Sequence, residues 1–133
     1  MELQFEITRR FEKDLDRLSI ADQARVAAGI DRHAGSFDSE AGHPSGHVYR
    51  PREVLLPQGM ESTLYVLRAT RDIRAILAID DDPLFDRKLV TLLRAVKRNE
   101  IERAYRLIAE SLYRHLSVSQ KHRDNGRDKS VAR

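Results

Sequence analysis

The stretch Thr63–Arg98 reads TLYVLRATRDIRAILAIDDDPLFDRKLVTLLRAVKR, and its punctuation decides the fold. Leu64–Ala69 and Ile73–Ile79 are apolar, β-rich runs separated by the polar break Thr70-Arg71-Asp72. A third run, Lys88–Val96, follows the turn-forming Asp80-Asp81-Asp82-Pro83, so the spacing predicts three consecutive strands. Arginine recurs inside them at Arg68, Arg74 and Arg94, with Lys97 and Arg98 just beyond. Arginine is rarely buried without a partner, so a sheet that carries it repeatedly needs a reason.

A hairpin register follows from the break. If the turn centres on Arg71, Arg68 lies opposite Arg74, and both share a face with Leu64, Val66, Ile76 and Ala78. The other face carries Tyr65, Leu67, Ala69, Ile73, Ala75, Leu77 and Ile79, without a charge. Like charges placed directly opposite each other destabilise a sheet. They are tolerated beside acidic partners, for which Asp72 and Glu53 are candidates, or where the site is built to hold an anion. The anion site is the reading favoured here, because Arg94, Lys97 and Arg98 emerge from the adjacent strand.

Toward the N-terminus, Leu3-Gln4-Phe5-Glu6-Ile7 alternates with the period of a half-buried strand. Thr8 is placed to cap a helix with Phe11, Leu15 and Leu18 on its apolar stripe. Ser19 opens a second helix, whose stripe is Val26, Ile30 and Phe37, with Ala24, Ala27 and Ala28 allowing close packing. Two short amphipathic helices in tandem predict a hairpin laid on the uncharged face. From Gly35 to Met60, glycine and proline break the pattern, so this segment reads as mostly loop, with Val54-Leu55-Leu56 a short extension.

Toward the C-terminus, Asn99 with Glu102 resembles a capping box. Ile101, Tyr105, Ile108, Leu112 and Leu116 mark the apolar stripe of a long helix. That helix is expected over the apolar end of the arginine-bearing face. The predicted architecture is α+β, in the order β-α-α-β-β-β-α. Its sheet is mostly antiparallel, with a helical hairpin on one face and a long C-terminal helix partly over the other. One domain over residues 1–117 and a basic, flexible tail over 118–133 are expected.

The bulk numbers agree with a globular protein. The 133 residues are 41% hydrophobic and 34% charged. Net charge is +3, which permits a polyanion partner without demanding one. Distribution says more: Arg87–Arg106 holds seven basic residues against two acidic ones. With no cysteine there is no disulfide framework and no thiolate metal site. No apolar run is long enough to span a bilayer, so no membrane association is expected and a cytoplasmic location is.

This order of elements resembles the RelE/ParE superfamily of toxin–antitoxin toxins over roughly Leu3 to Arg98. The marks are FEKDLDRL in the first helix, YVLRATRDIRAILAID in the central hairpin, and LLRAVKR closing the last strand. In the RelE-like branch the resemblance implies a metal-free endoribonuclease that cuts mRNA on the ribosome, needs no cofactor, and is neutralised by a cognate antitoxin in a hetero-oligomer. Basic side chains would neutralise the scissile phosphate and a ribose 2′-hydroxyl would attack it, which demands cations placed in advance where charge develops. Carried over by position, Arg68, Arg74 and Arg94 are phosphate and transition-state ligands, and Lys97 and Arg98 stand where many relatives have His and Arg. Many relatives end the last strand with a tyrosine-terminated motif; here that place falls near Ile101, and Tyr105 lies one helical turn later. Arg52, Glu53 and Tyr105 are accessory candidates, with Glu53 read as an arginine's partner ahead of a general base. The alternatives are a ParE-like inhibitor of DNA gyrase without nuclease activity, and a non-toxic interaction module of the same fold.

His43 and His47 lie four apart among glycines and a proline, which argues against a helical zinc pair. Asp80-Asp81-Asp82 reads as a solvated turn rather than a cation site. No metal is expected.

Overall fold

A computed structural model of the protein describes residues 2–38, 47–51 and 63–112. In order, the elements are β1 (Glu2–Ile7), α1 (Arg9–Asp16), α2 (Ile20–His33), a 3-10 helix (Ala34–Asp38), β2 (Val48–Tyr49), β3 (Leu64–Arg68), β4 (Ile73–Asp82), β5 (Arg87–Lys97) and a second 3-10 helix (Arg98–Glu100). Residues 101–112 continue as α3. The architecture is α+β, as expected. One five-stranded sheet has the order β1-β5-β4-β3-β2. β1 runs parallel to β5, and the other neighbours are antiparallel.

The caps behave as the sequence predicts. The Thr8 hydroxyl accepts from the Phe11 amide at 3.1 Å. It also donates to the Leu92 carbonyl at 2.9 Å, so one residue starts α1 and ties it to β5. The Ser19 hydroxyl accepts from the Asp22 amide and starts α2.

Two apolar layers flank the sheet. Under the α1–α2 hairpin, Phe11, Val26, Ile30 and Phe37 meet Leu67, Ile73, Leu77, Val90 and Leu92. Under α3, Leu64, Val66, Ile76 and Val96 meet Ile101, Ala104, Tyr105 and Ala109. Close packing of α2 comes from Gly29 rather than from the alanines, since Ala24, Ala27 and Ala28 are exposed. A Cβ on Gly29 would stand 1.9 Å from the Ala69 carbonyl oxygen, so the helix backbone lies directly against the end of β3.

Several boundaries differ from expectation. The Gly35–Met60 segment contains a 3-10 helix and the edge strand β2, whose pairing with Val66 and Leu67 adds a fifth strand. Two residues are too few to show a period. Asp80, Asp81 and Asp82 belong to β4 and lie opposite Leu89, Lys88 and Arg87. Arg87 pairs with Asp82 at 2.9 Å, so cross-strand charge keeps the acids extended. The turn falls at residues 83–86 instead, with Asp86 at φ 51°. Asn99 lies inside the second 3-10 helix rather than capping α3. Leu112 is 44% exposed, off the buried stripe. Val54–Leu56, Leu116 and the 118–133 tail lie outside the described residues.

Candidate phosphate-binding site

The predicted register is observed: Arg68 lies opposite Arg74. The two guanidinium groups diverge. Arg68 leans over the Tyr49 ring, 4.6 Å from its centroid, a cation–π contact supplied by the edge strand. Arg74 turns back along its own hairpin, and its Nη1 donates to the Thr70 and Arg71 carbonyls at 2.8 and 3.1 Å. One cation therefore stays at the surface while the other clamps the β3–β4 turn.

Arg94 goes elsewhere. A register shift between Ile76 and Leu77 sets Ile76 opposite Arg94 and Leu77 opposite Leu92. Leu93 is the extra residue of a β-bulge, and bulges re-aim side chains. Arg94 consequently faces α1, where its Nε donates to Asp14 at 2.7 Å and its Nη2 at 3.3 Å. The other Asp14 donor is the Ala95 amide, at 2.9 Å. The structure thus separates the Arg94 guanidinium from Arg68 by engaging it with Asp14 of α1. Asp14 occupies the α1 stripe three residues after Phe11, and that placement is the sequence signal for its burial.

Beyond β5, the Arg98 amide donates to the Asp72 carbonyl at 2.8 Å, which binds the end of the sheet to the β3–β4 turn. Arg98 lines two open clefts. The first, about 540 Å³, gathers Arg50, Arg68 and Arg98 with Tyr49, Asn99 and Glu102. Its far rim is fixed by Arg50, whose Nη2 donates to the Tyr65 hydroxyl at 3.1 Å. The second, about 460 Å³, gathers Lys97 and Arg98 with Asp22, Asp72, Leu18 and Ile73.

Of the sequence candidates, Arg68 and Arg98 meet in the first cleft and Lys97 stands in the second. Tyr105 is buried, and its hydroxyl donates to the Leu64 carbonyl at 3.0 Å, so the ring belongs to the α3 core layer. Arg52 and Glu53 lie outside the described residues. Sequence reading passed over Tyr49, and it treated Glu102 only as a cap. The short β2 carried no periodic signal, and the 3-10 start of α3 moves Glu102 from a capping role to the cleft wall. His33 and His47 stack with ring centroids 4.3 Å apart. Burial, then His47, then Arg32 hold the His33 imidazole below its ordinary pKa. Among the described residues no group of three or more histidine, cysteine, aspartate or glutamate side chains could hold a metal ion, and no helix is long and apolar enough to cross a membrane.

No protein-family model matches the sequence, and no curated protein does. Among solved structures, a YoeB/ParE toxin from Agrobacterium tumefaciens is similar, with a TM-score of 0.46 and 13% identity. The match covers 74% of this chain and 99% of that one.

Chemically, the first cleft is lined by Arg68 and Arg98, by Arg50 whose guanidinium stacks on Tyr65, and by one carboxylate, Glu102. Guanidinium forks match phosphate oxygens bidentately, and a carboxylate within reach can accept a proton.

Proposed function

We propose that this chain is a toxin of the RelE/ParE kind that cleaves RNA in the cleft of Arg50, Arg68 and Arg98. The observation that carries this reading is convergence. Arg50 follows β2, Arg68 ends β3 and Arg98 leaves β5, yet all three line one open cleft with Glu102. Arginines gathered from three strands at the end of a sheet suit a polyanion.

In this mechanism Arg68 and Arg98 bind the non-bridging oxygens of a phosphodiester, and Arg50 holds the neighbouring backbone. Glu102 accepts the proton of the ribose 2′-hydroxyl as its oxygen attacks phosphorus in line. The P–O5′ bond breaks and the 5′-oxygen takes a proton from solvent in the open cleft, leaving a 2′,3′-cyclic phosphate and a 5′-hydroxyl. Fixed cations contribute because charge grows on the phosphoryl oxygens in the transition state. Arg74 holds the turn that sets Arg68, Arg94 anchors β5 ahead of Arg98, and Lys97 extends the positive track. Cleavage of mRNA at the ribosome is the proposed cellular activity, in the cytoplasm. A cognate antitoxin would cover the groove beside α3, where Leu107 and Leu112 are 54% and 44% exposed.

A second reading, a gyrase inhibitor without nuclease activity, is favoured by one observation. The Tyr105 hydroxyl is engaged with Leu64 and so is turned away from the cleft. Inducible expression with mapping of RNA 5′ ends separates the two. New cleavage sites that vanish in Arg68→Ala support the nuclease. Growth arrest with intact RNA, together with inhibited supercoiling by the purified protein, transfers the reading to gyrase. Absence of any growth effect overturns both in favour of an interaction module.

A further inference from the structure

The second cleft differs from the first in charge and in floor. Where the first presents three arginines, the second sets Asp22 and Asp72 against Lys97 and Arg98, over the apolar side chains of Leu18 and Ile73. Ile73 is 6% exposed, so the floor is firm. At about 460 Å³ the space falls within the roughly 300–1,000 Å³ range of small-molecule sites. Two carboxylates make this a poor place for a phosphate. They suit a neutral ligand with an apolar face and hydrogen-bond donors along its edge, because ionised carboxylates only accept.

Arg98 joins the two clefts, and its backbone is fixed by the Asp72 carbonyl. A chain whose phosphate sits on Arg98 from the first side can pass its next residue into the second, which adjoins it. Asp22 is held in place at 2.9 Å by Arg25. Asp72 is held through its amide, which donates to the Thr70 hydroxyl at 3.2 Å. The Asp22 carboxylate is therefore positioned by its ion pair, and the Asp72 backbone by the turn.

The geometry points to the Asp22–Asp72 cleft as a nucleobase subsite, taking the base of the nucleotide adjacent to the phosphate on Arg98 and selecting it through an exocyclic amino group. This rests on the nucleic-acid reading of the first cleft. The aliphatic floor receives the ring face, the carboxylates accept from the amino group, and Lys97 faces the backbone leaving the cleft.

The test uses the full chain and short 2′-O-methyl oligoribonucleotides, which bind but cannot be cleaved, followed by fluorescence anisotropy. Two pairs differ only by an amino group: guanosine against inosine, and adenosine against purine riboside. Loss of the amino group in at least one pair is expected to weaken binding about tenfold, the scale of one hydrogen bond to a charged acceptor. Asp72→Asn, on an exposed turn, and Asp22→Asn are each expected to shrink that difference. The double variant should bring it below twofold while leaving inosine binding intact. If oligonucleotides bind and Arg98→Ala weakens them, but neither pair is distinguished or the double variant keeps the difference, the subsite is wrong and the first cleft stands. If no oligonucleotide binds, or Arg68→Ala and Arg98→Ala leave affinity unchanged, both fall together.

Discussion

Asp14 and Arg94 form the only ion pair among the described residues in which a carboxylate 5% exposed meets a guanidinium from the sheet, at 2.7 Å. The same carboxylate takes the Ala95 amide at the β-bulge, so α1 is fastened to β5 where that strand changes register. Removing one partner of a buried pair leaves the other charge unpaired. Asp14→Ala is expected to destabilise the fold by about 3 kcal/mol, read from the urea midpoint. Equal midpoints for variant and parent would show that the pair is not needed to hold the bulge.

The contact of Gly29 with Ala69 gives a second stability prediction. Gly29→Ala forces a backbone shift, because the added Cβ falls 1.9 Å from a carbonyl oxygen. A loss of about 2–3 kcal/mol or more is expected, in the range of overpacked sites. Gly35→Ala, whose Cβ meets nothing within 4 Å, serves as the control and should change the midpoint little. Similar effects at both positions would remove the close-approach argument.

Tyr105→Phe deletes one buried hydrogen bond, to Leu64. A cost of about 1 kcal/mol is expected, with oligonucleotide affinity unchanged. A variant of native stability that loses RNA cleavage would instead make the hydroxyl part of the reaction.

Arg68→Ala and Arg98→Ala address the first cleft. Each is expected to weaken single-stranded RNA binding and to reduce the slope of log affinity against log salt by about 0.7, the value for one released counterion on a single strand. Arg94→Met should leave that slope alone, since the Arg94 guanidinium is engaged with Asp14 of α1. A slope that falls equally in all three variants would argue for diffuse attraction rather than a site.

His33 titrates below its ordinary value, first because of burial and then because of His47 and Arg32. The unfolded chain therefore takes up this proton more readily than the folded one. The stability His33 contributes is complete above the ordinary pKa of 6.5 and is lost as pH falls from there through the lower folded value. Urea midpoints of the parent should drop more steeply below pH 6.5 than those of His33→Gln. Parallel pH profiles would show that the stacked pair carries no linkage.

What the sequence determined by itself was the part written in local pattern. The period-2 runs and the polar break at Thr70-Arg71-Asp72 determined the hairpin and placed Arg68 opposite Arg74. Thr8 and Ser19 determined two helix starts, because a cap depends on residues within one turn. The resemblance to RelE/ParE toxins anticipated the order of elements. Tertiary structure alone decided where the charges went. A single bulged residue, Leu93, turned Arg94 from the expected site to Asp14. A two-residue strand brought Tyr49 under Arg68. A 3-10 turn carried Glu102 into the cleft. Each is a shift of one or two residues, too small to alter a hydrophobic period, yet in a pleated sheet one residue is the difference between opposite faces.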